Sequence, residues 1–177
     1  MNRFYIVCSV AALAAASSFA EAAAPTDPQI AAIVVTANQV DIDAGTFAKS
    51  RAHSEKVREF AQLMVTDHSA VNKSATELAR KLNVTPEPNA TSKGLKEGGE
   101  KNLASLSKLS GPQFDIAYVT HEVDYHETVL EALDQTLIPG ATNPELKALL
   151  VKVRPAFVAH LEHARALKNE IAKGKGT

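Results

Sequence analysis

Residues 57–82, VREFAQLMVTDHSAVNKSATELARKL, decide the fold class of this protein. Apolar or small residues recur along this stretch in unbroken steps of four and three, and one member of the series is a histidine. Side chains at this spacing share one face of an α-helix. The stretch therefore predicts a long helix that packs one face against other helices. The predicted face comprises Val57, Ala61, Met64, His68, Val71, Ala75, Leu78 and Leu82.

Three other stretches carry the same pattern, and two of them begin with a clear start signal. Asp27-Pro28 and Asn143-Pro144 each place a preferred N-cap residue before a proline at the first helical position. The connections between the first and second helices, and between the third and fourth, are short. Two antiparallel hairpins joined by one long crossover form the connectivity of ferritin-like four-helix bundles, so we predict that all-α fold. The predicted helices span about 28–50, 54–83, 112–138 and 143–173, and the crossover, 84–111, carries a short helix around Glu100–Lys108.

The N-terminal residues 1–24 have the features of a secretory signal peptide. Arg3 gives a positive start, an apolar stretch follows, and cleavage after Ala20 or Ala24 satisfies the preference for small residues. The apolar stretch is shorter than the roughly 20 residues of a membrane span, although an uncleaved N-terminal anchor is the alternative. We therefore expect an exported, periplasmic or extracytoplasmic protein whose mature part, 25–177, is a single domain without a transmembrane segment.

Composition narrows the classes of function. The formal net charge is −1 and 45% of the residues are hydrophobic, which argues against a strongly basic nucleic-acid-binding protein. The single cysteine, Cys8, lies in the predicted signal peptide, so the mature chain can form no internal disulfide. We expect its stability to come from an apolar core of helices.

Five polar residues interrupt the apolar faces of the four predicted helices. Four of them fall close to the middle of their helix, and helix midpoints in a bundle meet in one layer whichever way neighbouring helices run. Glu122 and His126 lie four positions apart, which places both on one face of the third helix. We therefore predict that these side chains converge in the core. They are Asp41, His68, Glu122, His126 and His160.

Two interpretations explain such a layer. Imidazoles and carboxylates are suitable ligands for zinc, iron, manganese or copper, and helical bundles build metal sites in their cores. We predict a metal site with His68, His126 and His160 as ligands, completed by Asp41 or Glu122. Alternatively, the same side chains form a metal-free hydrogen-bonded layer that sets helix register, in a structural or interaction module of the cell envelope.

Neighbouring polar residues suggest supporting roles. Asp67 precedes His68 and is a candidate to hold a ligand in place. Tyr118 and Tyr125 lie near the same layer and are candidates to donate hydrogen bonds or to take part in redox chemistry. No arrangement of a nucleophile with a base is visible, so we expect binding rather than catalysis.

Three motifs resemble those of a large family of exported bacterial proteins, described as a ferritin-like domain of unknown function. Residues 64–68, MVTDH, resemble its M-V-x-D-H motif, and Phe114-Asp115 with Tyr118, Val123 and His126 resembles its second motif. Residues 155–161 resemble its P-x-x-x-x-H-L signature. The resemblance covers about residues 28–170 and implies a ferritin-like bundle outside the cytoplasm, with no established reaction.

The chain departs from this pattern in two places. Asp41 stands where the family usually has glutamate, and Tyr125 stands where the second motif usually has aspartate. In addition, the sequence contains no E-x-x-H motif, which di-iron ferritins use on two helices. Iron oxidation by the ferritin mechanism is therefore poorly supported.

Overall fold

The computed structural model describes residues 24–174, and every regular element within that range is helical. The predicted signal peptide lies outside the described residues apart from Ala24. A π-helical turn, Leu133–Leu137, joins the fourth helix to a short fifth one. The helices are α1 (Asp27–Arg51), α2 (Glu55–Lys81), α3 (Ala90–Leu106), α4 (Gly111–Ala132), α5 (Ile138–Gly140) and α6 (Pro144–Ala172).

The four long helices pack side by side as a helical bundle. α1 packs against α2, α4 packs against α6, and the two pairs meet through α2 with α6 and α1 with α4. Ion pairs at the two ends show the direction of α2 relative to α6. Lys56, near the start of α2, pairs with Glu170 near the end of α6 at 2.5 Å, and Lys81 pairs with Glu145 at the opposite end. These two helices are therefore antiparallel.

The core consists of two apolar clusters separated by a polar layer. One cluster contains Phe60, Met64 and Phe114, and the other contains Ile33 and Leu150. Along α1, α2 and α6 the buried polar residues fall between the positions that contribute to the two clusters, and on α4 His126 does so, with Glu122 one turn before it. The polar layer therefore crosses the middle of the bundle, as the helix midpoints predict.

The crossover contains a longer helix than the sequence predicts. α3 begins after Asn89, whose side chain accepts a hydrogen bond from the Ser92 backbone amide while Ser92 Oγ accepts one from the Asn89 amide, both at 2.9 Å. Glycines lower helix propensity in this stretch, but Gly99 lies directly against Val40 of α1. Packing on α1 therefore stabilises a helix that its intrinsic propensity disfavours.

Two aspartates, the partly buried Asp27 and the buried Asp115, join the ends of helices. The role of Asp27 differs from the one predicted from the sequence. Asp27 is the first residue of α1 and not its N-cap, which is Thr26. Its carboxylate instead accepts hydrogen bonds from the backbone amides of Thr142 and Asn143, at 2.9 Å each, and so joins α1 to the start of α6. The reason is that unpaired backbone donors lie next to this carboxylate in the two residues that precede α6, a contact that the local sequence does not show.

Asp115 has the corresponding role at the start of α2. Its carboxylate, 2% exposed, accepts hydrogen bonds from the backbone amides of His53 at 2.9 Å and Ser54 at 2.7 Å. Hydrogen bonds to an ionised carboxylate are stronger than neutral ones, so this contact anchors the α1–α2 loop on α4.

Of the helices in the described part of the chain, none combines the length and apolar character that crossing a membrane requires.

The close approach of α1 to α2 gives a test of this packing. A Cβ atom on Gly45 would lie 2.9 Å from the Ala61 backbone oxygen and 3.0 Å from Val65 Cγ2. Gly45→Ala is therefore expected to lower the free energy of unfolding by about 1–3 kcal/mol, because the helices must separate.

Gly98→Ala is the matched control, since a Cβ atom there meets nothing within 4 Å. It is expected to raise the free energy of unfolding by about 0.5–1 kcal/mol, as alanine normally does in a helix. Urea denaturation followed by circular dichroism measures both. Equal stabilisation by the two substitutions would contradict the described packing of α1 on α2.

Candidate metal centre

The polar layer contains five ionisable side chains that are almost completely excluded from solvent. The exposed fraction is 4% for His160 and 1% or less for the other four. The three imidazole rings form a compact triangle, with centroids 5.2–5.6 Å apart. The structure thus brings together all five residues singled out from the sequence. They are Asp41 on α1, His68 on α2, Glu122 and His126 on α4, and His160 on α6.

His68 is oriented by a buried amide. Its Nδ1 lies 2.8 Å from Asn38 Oδ1, and Asn38 Nδ2 donates to the Val34 carbonyl at 2.8 Å. Because the amide nitrogen is engaged with a carbonyl, the Asn38 oxygen faces the imidazole, so Nδ1 must carry the proton. The unprotonated Nε2 then faces the layer, 3.1 Å from Asp41 Oδ2.

His126 is oriented by its own helix. Nδ1 donates to the Glu122 backbone carbonyl at 2.9 Å, and because a carbonyl can only accept, this nitrogen carries the proton. Nε2 is buried without a hydrogen-bond partner and lies 3.6 Å from Asp41 Oδ2. The lone pair of this second imidazole is therefore also directed into the layer.

His160 is oriented from the edge of the bundle. Its Nε2 lies 2.9 Å from Oδ2 of Asp67, whose side chain is 39% exposed. Because a carboxylate accepts hydrogen bonds, Nε2 carries the ring proton and donates to Asp67. The buried Nδ1 is then unprotonated and has no hydrogen-bond partner. Asp67 thus contacts a ligand candidate on α6, although the sequence places it beside His68.

Each imidazole therefore has one nitrogen hydrogen-bonded to a fixed acceptor and the other directed into the core. One nitrogen from each of the three rings lies within 4.8 Å of the others, and Asp41, Glu122 and His126 form a second group within the same limit. Both Asp41 oxygens and Glu122 Oε2 are buried without a hydrogen bond. Unpaired buried polar atoms are rare in native proteins and cost about 1–3 kcal/mol each. When the carboxyls are ionised, all of these atoms are acceptors, and a cation is the partner that would satisfy them together.

Burial sets the protonation of the layer. It lowers the pKa of His68 to about 2, with help from the neighbouring imidazoles, and it lowers the pKa of His126 to about 4. It also raises the pKa of Asp41 to about 7, and burial plus the charge of Asp41 raises the pKa of Glu122 well above its usual value. His68 and His126 are therefore neutral near pH 7, which is the form that binds metals.

The two tyrosines near the layer differ in their contacts. Tyr125 donates its hydroxyl hydrogen to the Ala37 carbonyl at 2.8 Å. The Tyr118 hydroxyl is buried beside the Glu122 carboxyl, without a hydrogen bond of good geometry. Burial raises the pKa of both phenols well above its usual value, so both stay protonated.

Sequence reasoning missed Asn38. It lies three residues before Asp41, so a helical face that carries Asp41 also carries position 38, and this spacing was the available signal. The remaining histidines lie outside the layer. His53 and His163 are exposed, and the partly buried His121 stacks on Tyr125 with ring centroids 5.7 Å apart.

Comparison with known proteins identifies a family without a known role. Residues 12–167 match a family described as Domain of unknown function (DUF4142). Neither a curated protein nor a solved structure matches the chain.

The raised pKa of Asp41 predicts how stability depends on pH when metal is removed by a chelator. The folded state holds a proton on Asp41 up to about pH 7, whereas the unfolded state releases it near the ordinary aspartate pKa of 3.8. Ionisation of Asp41 therefore destabilises the fold increasingly as the pH rises through this window. Asp41→Asn removes that ionisation, so its stability relative to the wild type should increase between pH 5 and pH 7.5, by about 1–3 kcal/mol.

Urea denaturation at the two pH values measures this difference. Asp43→Asn is the control, because Asp43 lies on the same helix but is exposed. An advantage of Asp41→Asn that stays the same at both pH values would show that Asp41 does not titrate in this window.

Proposed function

The chain belongs to the DUF4142 family, whose function is unknown, and we propose that it binds a transition-metal ion in the core of its helical bundle. The observation that carries the proposal is the arrangement of three imidazoles, each with one nitrogen hydrogen-bonded to a fixed group and the other unpaired in the core. In protein metal sites, the side chains that bind the ion are typically held in orientation by hydrogen bonds to neighbouring groups that do not bind it.

The proposed ligands are His68 Nε2, His126 Nε2 and His160 Nδ1, with a carboxylate oxygen of Asp41. Asp41 Oδ2 is within 3.6 Å of the ring nitrogens of both His68 and His126. Glu122 is the alternative carboxylate, since it forms a group with Asp41 and His126. Three imidazoles with one or two carboxylates suit zinc, iron, manganese or copper. Metal buffering or a stress-related role follows more directly from such a site than catalysis does.

We further propose that the bundle is ferritin-like. The support is its connectivity: two hairpins, α1–α2 and α4–α6, joined by a crossover that carries α3 along α1. The proposed site nevertheless contains three histidines and lacks the E-x-x-H pair of di-iron ferritins. It is therefore closer in composition to a histidine-rich centre than to a carboxylate-bridged iron pair.

Export is also a proposal, supported by the composition of residues 1–24. The mass of the protein recovered from the periplasm of an expressing bacterium would distinguish cleavage after Ala20 from cleavage after Ala24. Recovery of the uncut chain with the membrane fraction would instead favour the N-terminal anchor.

Metal analysis tests the site directly. Untagged protein purified without chelator is expected to contain about one metal ion per chain, as a mononuclear bundle site would. The double variant His68→Ala, His160→Ala should lose that ion, while His53→Ala, His163→Ala should retain it because both of those imidazoles are exposed. Elemental analysis by mass spectrometry measures the content, and equal metal in the two variants would refute the site.

Removal of the orienting amide gives a finer test. Asn38→Ala leaves every proposed ligand in place but frees the imidazole of His68, so metal affinity should fall about 10- to 100-fold. Gln39→Ala is the control, because Gln39 is exposed and hydrogen-bonds only to Asp43 in the described chain. Competition with a chromogenic chelator measures both affinities. Unchanged affinity in Asn38→Ala would exclude His68 as a ligand oriented in this way.

A metal-free structural module is the second candidate, and one observation favours it. The raised pKa values of Asp41 and Glu122 allow these carboxyls to stay protonated and to donate hydrogen bonds within the layer. The melting temperature distinguishes the two functions. A structural module melts at the same temperature with or without chelator, whereas a metal protein gains stability with the concentration of the ion.

A further inference from the structure

A small apolar cavity lies directly beside the histidine layer. Its volume is about 100 Å³, and its wall exposes only apolar atoms. Helices α1, α2, α3, α4 and α6 all contribute, together with the π-helical turn. Ile33, Val129, Leu133, Leu150 and Phe157 form much of the wall.

Phe157 is shared by the cavity and the histidine layer. Its ring centroid lies 5.0 Å from the ring of His68, 6.0 Å from that of His126 and 6.1 Å from that of His160. Asn38, which orients His68, also lines the cavity. A guest in the cavity would therefore be one side chain away from all three imidazoles.

The lining extends from solvent towards the core. Thr91 of α3 and Thr128 of α4 are exposed, whereas Asn38 and Phe157 are buried. The π-helical turn contributes Leu133 and Leu137 to the wall. Such turns are rare and occur often at functional sites.

Size and polarity restrict the guest. An apolar cavity of comparable volume stays dry and accepts small apolar molecules such as xenon, whereas water needs polar partners that this wall does not offer. The volume is too small for most metabolites. We propose that this cavity binds dioxygen beside the histidine layer. The binding itself is independent of the proposed metal function, and only its position next to a metal ion rests on that function.

Methyl-group relaxation tests the proposal on chelator-treated, full-length protein. Dioxygen is paramagnetic, so NMR relaxation of methyl groups lining its binding site should increase several-fold more under oxygen pressure than that of other buried methyls. The reporters are Ile33, Val129 and Leu133. The internal controls are Val57, Val119 and Leu161, which are also buried but do not line this cavity. Equal relaxation in the two sets would overturn the proposal.

A substitution that fills the cavity provides the second part of the experiment. Ala132→Leu adds apolar volume to the wall and should abolish the excess relaxation, while Ala104→Leu, at an exposed position of α3, should leave it unchanged. The comparison of methyl groups within the wild-type protein decides the proposal if Ala132→Leu fails to fold. Chemical-shift changes under xenon provide an independent probe, and a response to xenon without one to dioxygen would overturn the assigned guest.

The result of the oxygen test and the result of the metal analysis can be distinguished from each other. A metal-free protein whose cavity methyls respond to oxygen would retain the cavity assignment and refute the proposed metal function. Conversely, a protein that purifies with metal, but whose cavity methyls do not respond to oxygen after chelator treatment, would retain the proposed metal function and refute dioxygen binding in the cavity.

Discussion

The burial of three imidazoles and two carboxyls in one layer is the constraint on which the rest of this structure depends. A buried polar atom without a partner costs about 1–3 kcal/mol, so the surrounding helices must supply partners at fixed positions. They do so for one nitrogen of each imidazole, through Asn38, the Glu122 carbonyl and Asp67. The remaining buried acceptors face each other, and this determines both the protonation of the layer and its suitability for a cation.

The layer also organises the apolar core. Because it crosses the bundle at mid-height, it divides the hydrophobic side chains into one cluster around Phe60 and Phe114 and another around Ile33 and Leu150. Register between helices is then restricted, since a shift of one turn would bring a polar side chain into an apolar cluster, where it has no hydrogen-bond partner. Phe157 contacts the layer from one of these clusters and separates the imidazoles from the apolar cavity.

Several features were predictable because they depend on periodicity within one helix. The spacing of Val57, Met64 and His68 predicts a helix that buries one face, and the central position of each polar residue predicts a common layer. The longer crossover helix was not predictable to the same degree. Its glycines disfavour a helix locally, and the cap formed by Asn89 and Ser92, together with packing on α1 where Gly99 lies against Val40, explains why it forms. The π-helical turn after α4 has no local signal that we recognise.

The sequence by itself determined that the chain is helical and which face of each predicted bundle helix turns towards the core, because side-chain direction follows from helical geometry and hydrophobic burial. It also determined the chemical types available to the layer, three imidazoles and two carboxyls. Only the tertiary structure decided which nitrogen of each imidazole is free, because the partners that hold the other nitrogens include an amide on α1 and a carboxylate on α2. Those contacts join residues 30 positions apart for His68 and 93 apart for His160. Distances across the bundle depend on how helices pack together, which spacing along one helix does not encode.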